Sequence, residues 1–287
     1  AVSMADGPAG LRLMKSYDVD NESGLIYGFS LLSVLGGDLF KKDYHRENVT
    51  TYHQYATAIP IGTLLAQTWD PDVIEEIGKM IGHEMLEFGV AWWLAPGMNI
   101  HRNPLCGRNF EYYSEDPLIA GKIAAAMTKG VQSIPGIGTT IKHYAANNQE
   151  DNRQFSNSIL SERTLREIYL RGFEIAVKES QPMCIMTSYN LINGVPAANN
   201  TDLITTALRG EWDFQGIVMT DWTTTSFGSA TPHKCAEAGN DLIMPGHQID
   251  VDDITKALAD GSLDRTKAVD CVARLITVLF NTIGMEA

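Results

Sequence analysis

The sequence predicts an α/β domain of the (β/α)8 TIM-barrel type, and three observations lead there. Short apolar runs recur between amphipathic segments along the 287 residues, the near-continuous apolar character of strands buried in a parallel sheet. Several runs end in polar residues, which in a barrel gather on one face. No run leads into Gly-x-Gly-x-x-Gly or Gly-x-x-x-x-Gly-Lys-Ser/Thr, so an open nucleotide-binding sheet has no motif behind it.

In chain order, strands are expected at 1–5, 58–62, 90–95, 139–143, 183–189, 216–220 and 241–244. Seven is one short of eight, so the barrel is expected to be incomplete by this count. The first fifty-odd residues read as loop with one apolar stretch. A helix is expected over 72–88, where Val73, Ile77, Met80, Ile81, Met85 and Phe88 recur at three-to-four spacing. Asp70 is placed to cap its free N–H groups with Pro71 at the first helical position, and Asp116-Pro117 repeats the device. Ser161 opens another helix with Leu165, Ile168, Tyr169, Phe173 and Ala176 on one face, and 263–280 supplies the last. No fixed-period repeat and no Pro/Ser/Gly-rich linker divides the chain, so residues 1–287 read as one domain.

Lys plus Arg number 22 and Asp plus Glu 35, a formal charge of −13. Long-range repulsion then disfavours nucleic acid and anionic membrane surfaces as partners. The longest apolar runs fall far short of the roughly 20 residues that cross a bilayer. Cys106, Cys184, Cys235 and Cys271 stand singly and read as free thiols. The chain starts at Ala1 without a Met, as a fragment or processed product would, and no charged-then-apolar leader follows, which favours a cytoplasmic location. Asn48-Val-Thr50 and Asn199-Asn-Thr201 match the glycosylation pattern, which matters only in a secretory compartment.

The strand ends carry the chemistry. The first run leads into Asp6, the fourth into Lys142-His143, the fifth into Ser188-Tyr189-Asn190 and the sixth into Asp221-Trp222. A carboxylate directly after a buried strand is partly desolvated, and keeping it ionised requires cations such as Lys142 or Arg108 nearby. Asp221 thus reads either as an oxygen nucleophile or as a helix cap. Carboxylates (Asp6, Asp221), cations (Lys142, Arg108, Arg153) and aromatic faces (Tyr189, Trp222) together suit a ligand with many hydroxyls and an apolar ring face, a sugar. His83, His101, His143 and His233 show no His-x-x-x-His or His-Glu-x-x-His spacing, so neither a metal nor any other cofactor is expected.

These residues stand in segments that resemble the barrel domain of family 3 glycoside hydrolases, the β-glucosidase group. Ala5-Asp6-Gly7-Pro8-Ala9-Gly10-Leu11-Arg12 resembles the opening segment whose Asp holds distal sugar hydroxyls. Gly107-Arg108-Asn109-Phe110-Glu111 with Ser114-Glu115-Asp116-Pro117 is similar to the Arg-bearing loop, Glu111 and Glu115 being read as structural. Lys142-His143-Tyr144 resembles the sugar-binding Lys-His pair, and Arg153 a further sugar-contacting Arg. Met186-Thr187-Ser188-Tyr189-Asn190 resembles the segment whose Met and Tyr flank the nucleophile, and Gly216-Ile217-Val218-Met219-Thr220-Asp221-Trp222 the nucleophile segment.

The resemblance implies a retaining double displacement with Asp221 as nucleophile. It further implies that Asp6, Arg108, Lys142, His143 and Arg153 grip the ring, Met186 and Tyr189 flank Asp221, and Trp222 forms an apolar wall. Asp6 stands where xylosidase relatives tend to carry Glu, which points to a β-glucoside or a short β-linked gluco-oligosaccharide. Two departures matter. The family's acid/base Glu sits in a second domain, so a proton donor is expected from outside this chain, with Glu150 and Asp151 as poor substitutes. The Lys-His-Phe-Pro-Gly-His-Gly context of the N-acetylglucosaminidase branch is replaced by Lys142-His143-Tyr-Ala-Ala-Asn-Asn. A non-catalytic sugar-binding domain, a β-xylosidase and, last, a Schiff-base aldolase using Lys142 remain as alternatives.

Overall fold

The computed structural model describes residues 2–27 and 48–285. Its strands, in chain order, are β1 (Met4–Ala5), β2 (Ser16–Asp20), β3 (Ile26–Tyr27), β4 (Val49–His53), β5 (Trp92–Trp93), β6 (Gly138–Tyr144), β7 (Asn157–Ser158), β8 (Cys184–Thr187), β9 (Leu191–Ile192), β10 (Val195–Pro196) and β11 (Ile217–Thr220). Five of them form the central sheet in the order β1-β5-β6-β8-β11, every pair parallel. The order follows the chain without reversal, which is how a barrel is wound; an open doubly wound sheet turns back on itself.

Helices occupy the crossovers: Pro71–Glu87 before β5, Pro117–Gln132 before β6, Arg171–Ser180 before β8, and the π-helical segment Asp202–Glu211 before β11. Pro232–Ala238, Gln248–Asp260 and Arg265–Leu279 follow. Alternation along the strands sorts side chains to two faces. Trp93, Ile141, Ile185 and Val218 pack with Ile81, Met127 and Phe173 in the layer between sheet and helices. Trp92, Leu94, Cys184, Met186, Ile217, Met219 and Met244 form a second cluster on the opposite side. Asp70 accepts from the N–H groups of Asp72 and Val73, and Asp116 from that of Leu118, so both expected caps are made.

Several expectations are corrected. Residues 58–62 form no strand: Pro60 has no N–H to donate, the Ile59 N–H bonds Ala9 O at 3.0 Å, and the helix Gly62–Ala66 already begins at the last of them. Residues 241–244 make a single bridge, Leu242 to Met219, and lengthen the sheet without a full strand. The segment before residue 54 holds an antiparallel sheet, β3-β2-β4, with Tyr17 stacked on Tyr52 at 5.7 Å; the rest of it, 28–47, lies outside the described residues. On Pro71–Glu87 the buried face is Ile74, Gly78, Ile81, Gly82 and Met85, while Val73 and Met80 are exposed. Ile77, Ile81, Met85 and Phe88 of the expected stripe do face the core; what the apolar pattern does not register is Gly78, where a Cβ would lie 2.6 Å from Met127 O. The helix expected from Ser161 is broken by a π turn over Leu165–Tyr169, and 263–280 narrows to Arg265–Leu279 capped by Asp264. All four cysteines are buried and unpaired. Asn199 uses both ends of its amide on the Thr231 backbone.

Candidate active site

The polar groups meet at the C-terminal ends of the parallel strands. β6 is irregular there: Lys142 pairs with Met186 and Tyr144 with Thr187, so His143 is an extra residue and Lys142 and His143 are aimed independently. Asn99, beyond the end of β5, pins this irregularity by donating to His143 O and accepting from His143 N, each at 2.8 Å.

Lys142, side chain 4% exposed, donates from Nζ to Asp6 Oδ1 at 2.7 Å, while Arg12 pairs with Asp6 Oδ2. Burial pushes the Asp6 carboxyl up, but Lys142, Arg12 and the Gly7 N–H outweigh it and hold it well below the usual carboxylate range. Arg108 pairs with the buried Glu111. Burial alone would lower the pKa of Arg108; Tyr112, Glu111 and Asp221 reverse this and raise it.

Asp221 is buried. Its Oδ1 accepts the Trp222 N–H at 2.7 Å; its Oδ2 has no hydrogen-bond partner among the described residues and lies 3.7 Å from His143 Nε2. Burial raises this carboxyl above its ordinary value, against the charges of Arg108 and Lys142, the Trp222 N–H and the charge of Arg153. The cations expected around Asp221 are therefore present, but burial still wins. His143 is driven the other way, well below its ordinary value, by burial and then by Arg108, Lys142 and Arg153.

Tyr189 donates to Trp222 O at 2.8 Å, and the Arg153 guanidinium lies 4.7 Å from its ring centroid. Burial and the Asp221 charge raise the Tyr189 hydroxyl. Arg153 is held by Glu150 at 2.7 Å, and Glu150 also accepts from Asn147 at 3.3 Å. Met186 is 1% exposed and is the register partner of Lys142 on β8, in the cluster against which Trp222 packs. A groove of about 610 Å³ opens beside Asp6 and Arg108, bordered by Arg12, Tyr55 and Phe110. Among the described residues no group of three or more His, Cys, Asp or Glu is arranged to hold a metal, and no helix is long and apolar enough to cross a membrane.

Asp6, Arg108, Lys142, His143, Arg153, Tyr189, Asp221 and Trp222 thus share one neighbourhood; Met186 joins it through its pairing with Lys142 and the apolar cluster it shares with Trp222. Sequence reasoning missed Asn99, Tyr112 and the pairing role of Arg12. Asn99 follows the 90–95 run, so the same strand-end logic that found Asp221 points to it.

This barrel winding with carboxylates, cations and aromatics at its strand ends has a match in sequence: the profile of the Glycosyl hydrolase family 3 N terminal domain covers residues 39–278. The chain belongs to glycoside hydrolase family 3. It is 51% identical over 188 residues to beta-glucosidase A of Butyrivibrio fibrisolvens, covering 66% of this chain and 22% of that protein. To the exo-alpha-(1->6)-L-arabinopyranosidase of Bifidobacterium longum it is 47% identical over 206 residues, 72% of this chain and 26% of that protein. Beta-glucosidase 3B from Thermotoga neapolitana, solved in complex with alpha-D-glucose, superposes with a TM-score of 0.83 at 43% identity, over 99% of this chain and 36% of that one. The chain spans about a quarter of the length of these curated relatives.

Proposed function

We propose that residues 1–287 act as one barrel domain of a retaining β-glucosidase that releases terminal non-reducing β-D-glucosyl residues. One observation carries the reading: Asp221 is a buried carboxylate with one oxygen fixed by the Trp222 N–H and the other unpartnered, within the field of Arg108, Lys142 and Arg153. A buried polar atom without a partner costs stability and calls for an explanation. An attacking atom reserved for C1 of a pyranose supplies one.

In this reading Asp221 Oδ2 bonds to the anomeric carbon as the glycosidic C–O bond breaks, through an oxocarbenium-like transition state, to give a glycosyl ester. Water then attacks C1 and returns the carboxylate. Asp6, Lys142, His143, Arg108 and Arg153 hold ring hydroxyls, Tyr189 steadies the Asp221–Trp222 turn, and Trp222 lies against the apolar sugar face. Retention uses two carboxyl groups about 5 Å apart. Asp6, Glu111 and Glu150 are each committed to a cation and Asp151 is exposed, which supports an acid for the leaving oxygen supplied by a second domain or chain outside these residues. The substrate is a β-glucoside or a short β-linked gluco-oligosaccharide.

The experiment is trapping with 2,4-dinitrophenyl 2-deoxy-2-fluoro-β-glucoside, whose leaving group needs little protonation. The expected product is a glycosylated peptide containing Asp221, absent in Asp221→Asn. A label elsewhere removes Asp221 from its role, and glucose binding without any label favours a sugar-binding domain. The arabinopyranosidase relative motivates a second reading, α-L-arabinopyranoside cleavage. That sugar lacks the hydroxymethyl group, so the ratio of labelling by the two aryl glycosides separates the readings.

A further inference from the structure

His143 is held from behind by Asn99 and Tyr112, and Tyr112 in turn by Asn147, three residues that the reaction scheme does not use. Asn99 Nδ2 donates to His143 O and Asn99 Oδ1 accepts from His143 N, so the backbone fixes which way this amide points. The ring Nδ1 then lies 3.2 Å from Asn99 Oδ1 and 3.3 Å from the Tyr112 hydroxyl. Tyr112 is completely buried, and its oxygen accepts from Asn147 Nδ2 at 3.3 Å. On the opposite side Nε2 faces Asp221 Oδ2 at 3.7 Å.

Two neutral tautomers fit this cage, and they leave different groups stranded. With the proton on Nδ1, the ring donates to Asn99, but the Tyr112 hydrogen finds no acceptor among the described residues. A bare Nε2 lone pair then confronts a carboxylate oxygen that itself lacks a donor. With the proton on Nε2, Asn147 donates to Tyr112, Tyr112 donates to Nδ1, and the ring N–H dipole points at Asp221. The cost is a lone-pair contact between Nδ1 and Asn99 Oδ1. In a low-dielectric interior a dipole directed at a carboxylate outweighs that contact, and a chain of donors aligned head to tail reinforces it. The imidazolium is disfavoured by burial and by Arg108, Lys142 and Arg153 around the ring.

We infer that Tyr112, supported by Asn147, and Asn99 are positioning residues that hold His143 as the Nε2–H tautomer, its proton directed into the space shared by Asp221 Oδ2 and a sugar hydroxyl. A neutral N–H steadies the free oxygen of Asp221 without cancelling its charge, which an imidazolium would do. The consequence for catalysis rests on the reading of Asp221 as nucleophile; the tautomer itself is a property of the unliganded chain.

The test is long-range ¹H–¹⁵N correlation NMR on the 287-residue chain with ¹⁵N-labelled histidine at neutral pH, the His143 signals being those lost in His143→Gln. The expected spectrum has an unprotonated Nδ1 and a protonated Nε2. Tyr112→Phe removes the donor to Nδ1 and moves the tautomer ratio about fivefold towards Nδ1–H, the worth of one ordinary hydrogen bond. Asn147→Ala, which leaves the tyrosine in place, moves it the same way by less. An Nδ1–H or imidazolium form in the parent chain, or an unmoved ratio in Tyr112→Phe, overturns the inference. Fluoroglucoside labelling on the same samples keeps the two claims apart. A labelled Asp221 beside an Nδ1–H ring sinks this inference alone, and an unlabelled Asp221 beside an Nε2–H ring sinks only the nucleophile.

Discussion

Asp221 and Asp241 flank the same pair of neighbouring parallel runs and spend their oxygens differently. Asp241, beside the start of β11, has a fully buried side chain; Oδ2 accepts from Arg209 at 2.6 Å and from Val218 N at 2.8 Å, and Oδ1 accepts from Arg274 at 2.8 Å. Asp221, just past the end of the same strand, keeps Oδ2 unpartnered. Burial raises both carboxyls, against Arg209 and Arg274 in one case and against Arg108 and Lys142 in the other. Burial and titration shift therefore do not distinguish them. The unfilled oxygen does: a carboxylate with both oxygens occupied holds helices to a sheet, and one with an oxygen to spare is available for bond making.

The largest effect that sharpens this contrast is on turnover. In the enzyme complete with its proton donor, Asp221→Asn is expected to lower kcat by about 10⁴-fold or more, read on an aryl β-glucoside. The same substitution should raise the melting temperature at neutral pH. A carboxyl with a raised folded-state pKa contributes stability below its unfolded value and loses it as pH climbs through the folded value, so the ionised side chain is a net cost at pH 7. The gain should disappear in acid, where both states are protonated. Next comes Asp241→Ala, which strands two arginines and should cost about 3–5 kcal/mol in urea unfolding, with labelling of Asp221 per folded molecule unchanged.

Asp6→Asn is smaller, on the order of 1–2 kcal/mol at neutral pH, because a charge-assisted bond to Lys142 is weakened. Its sign with pH is opposite to that of Asp221: the Asp6 carboxyl is held low, so its contribution is present above the ordinary 3.8 and fades as pH falls through the folded value. The stability gap between Asp6→Asn and the parent should close in strong acid. Last, Met186→Leu should cost less than about 1.5 kcal/mol and leave labelling within a few-fold, since Met186 acts through packing. A loss of labelling comparable to that of Asp221→Asn would give Met186 a direct part in the chemistry.

How much of this was legible in the sequence follows from what makes each feature visible. β8 and β11 are short, largely apolar runs followed at once by Ser188-Tyr189 and by Asp221, and in β6 the charged Lys142 follows Ile141, contrasts that can be read one residue at a time. The small sheet β3-β2-β4 could not be, because Ser16–Asp20 and Val49–His53 are polar and their pairing spans about thirty residues. Nor does hydrophobic periodicity register Gly78 and Gly82, whose value lies in what they omit. Asn99 and Tyr112 work on another side chain and not on solvent or ligand, so in sequence they look like ordinary loop residues. The ion cluster of Asp241 depends on Arg209 and Arg274, each more than thirty positions away, and no local pattern joins them.

Asp6 directly follows β1, which stands at one edge of the central sheet and is as short as β5. β1 has two residues, is paired among the described residues with β5 alone, and is fastened by Ser3 O to the amides of Ala91 and Trp92 and by Ala5 O to that of Leu94. Whatever grips Asp6 from the cavity thereby also grips the amino-terminal ribbon, so ligand occupancy and fraying of that ribbon are two readings of one equilibrium. The Leu94 amide becomes a reporter at a distance, exchanging its hydrogen more slowly as the pocket fills.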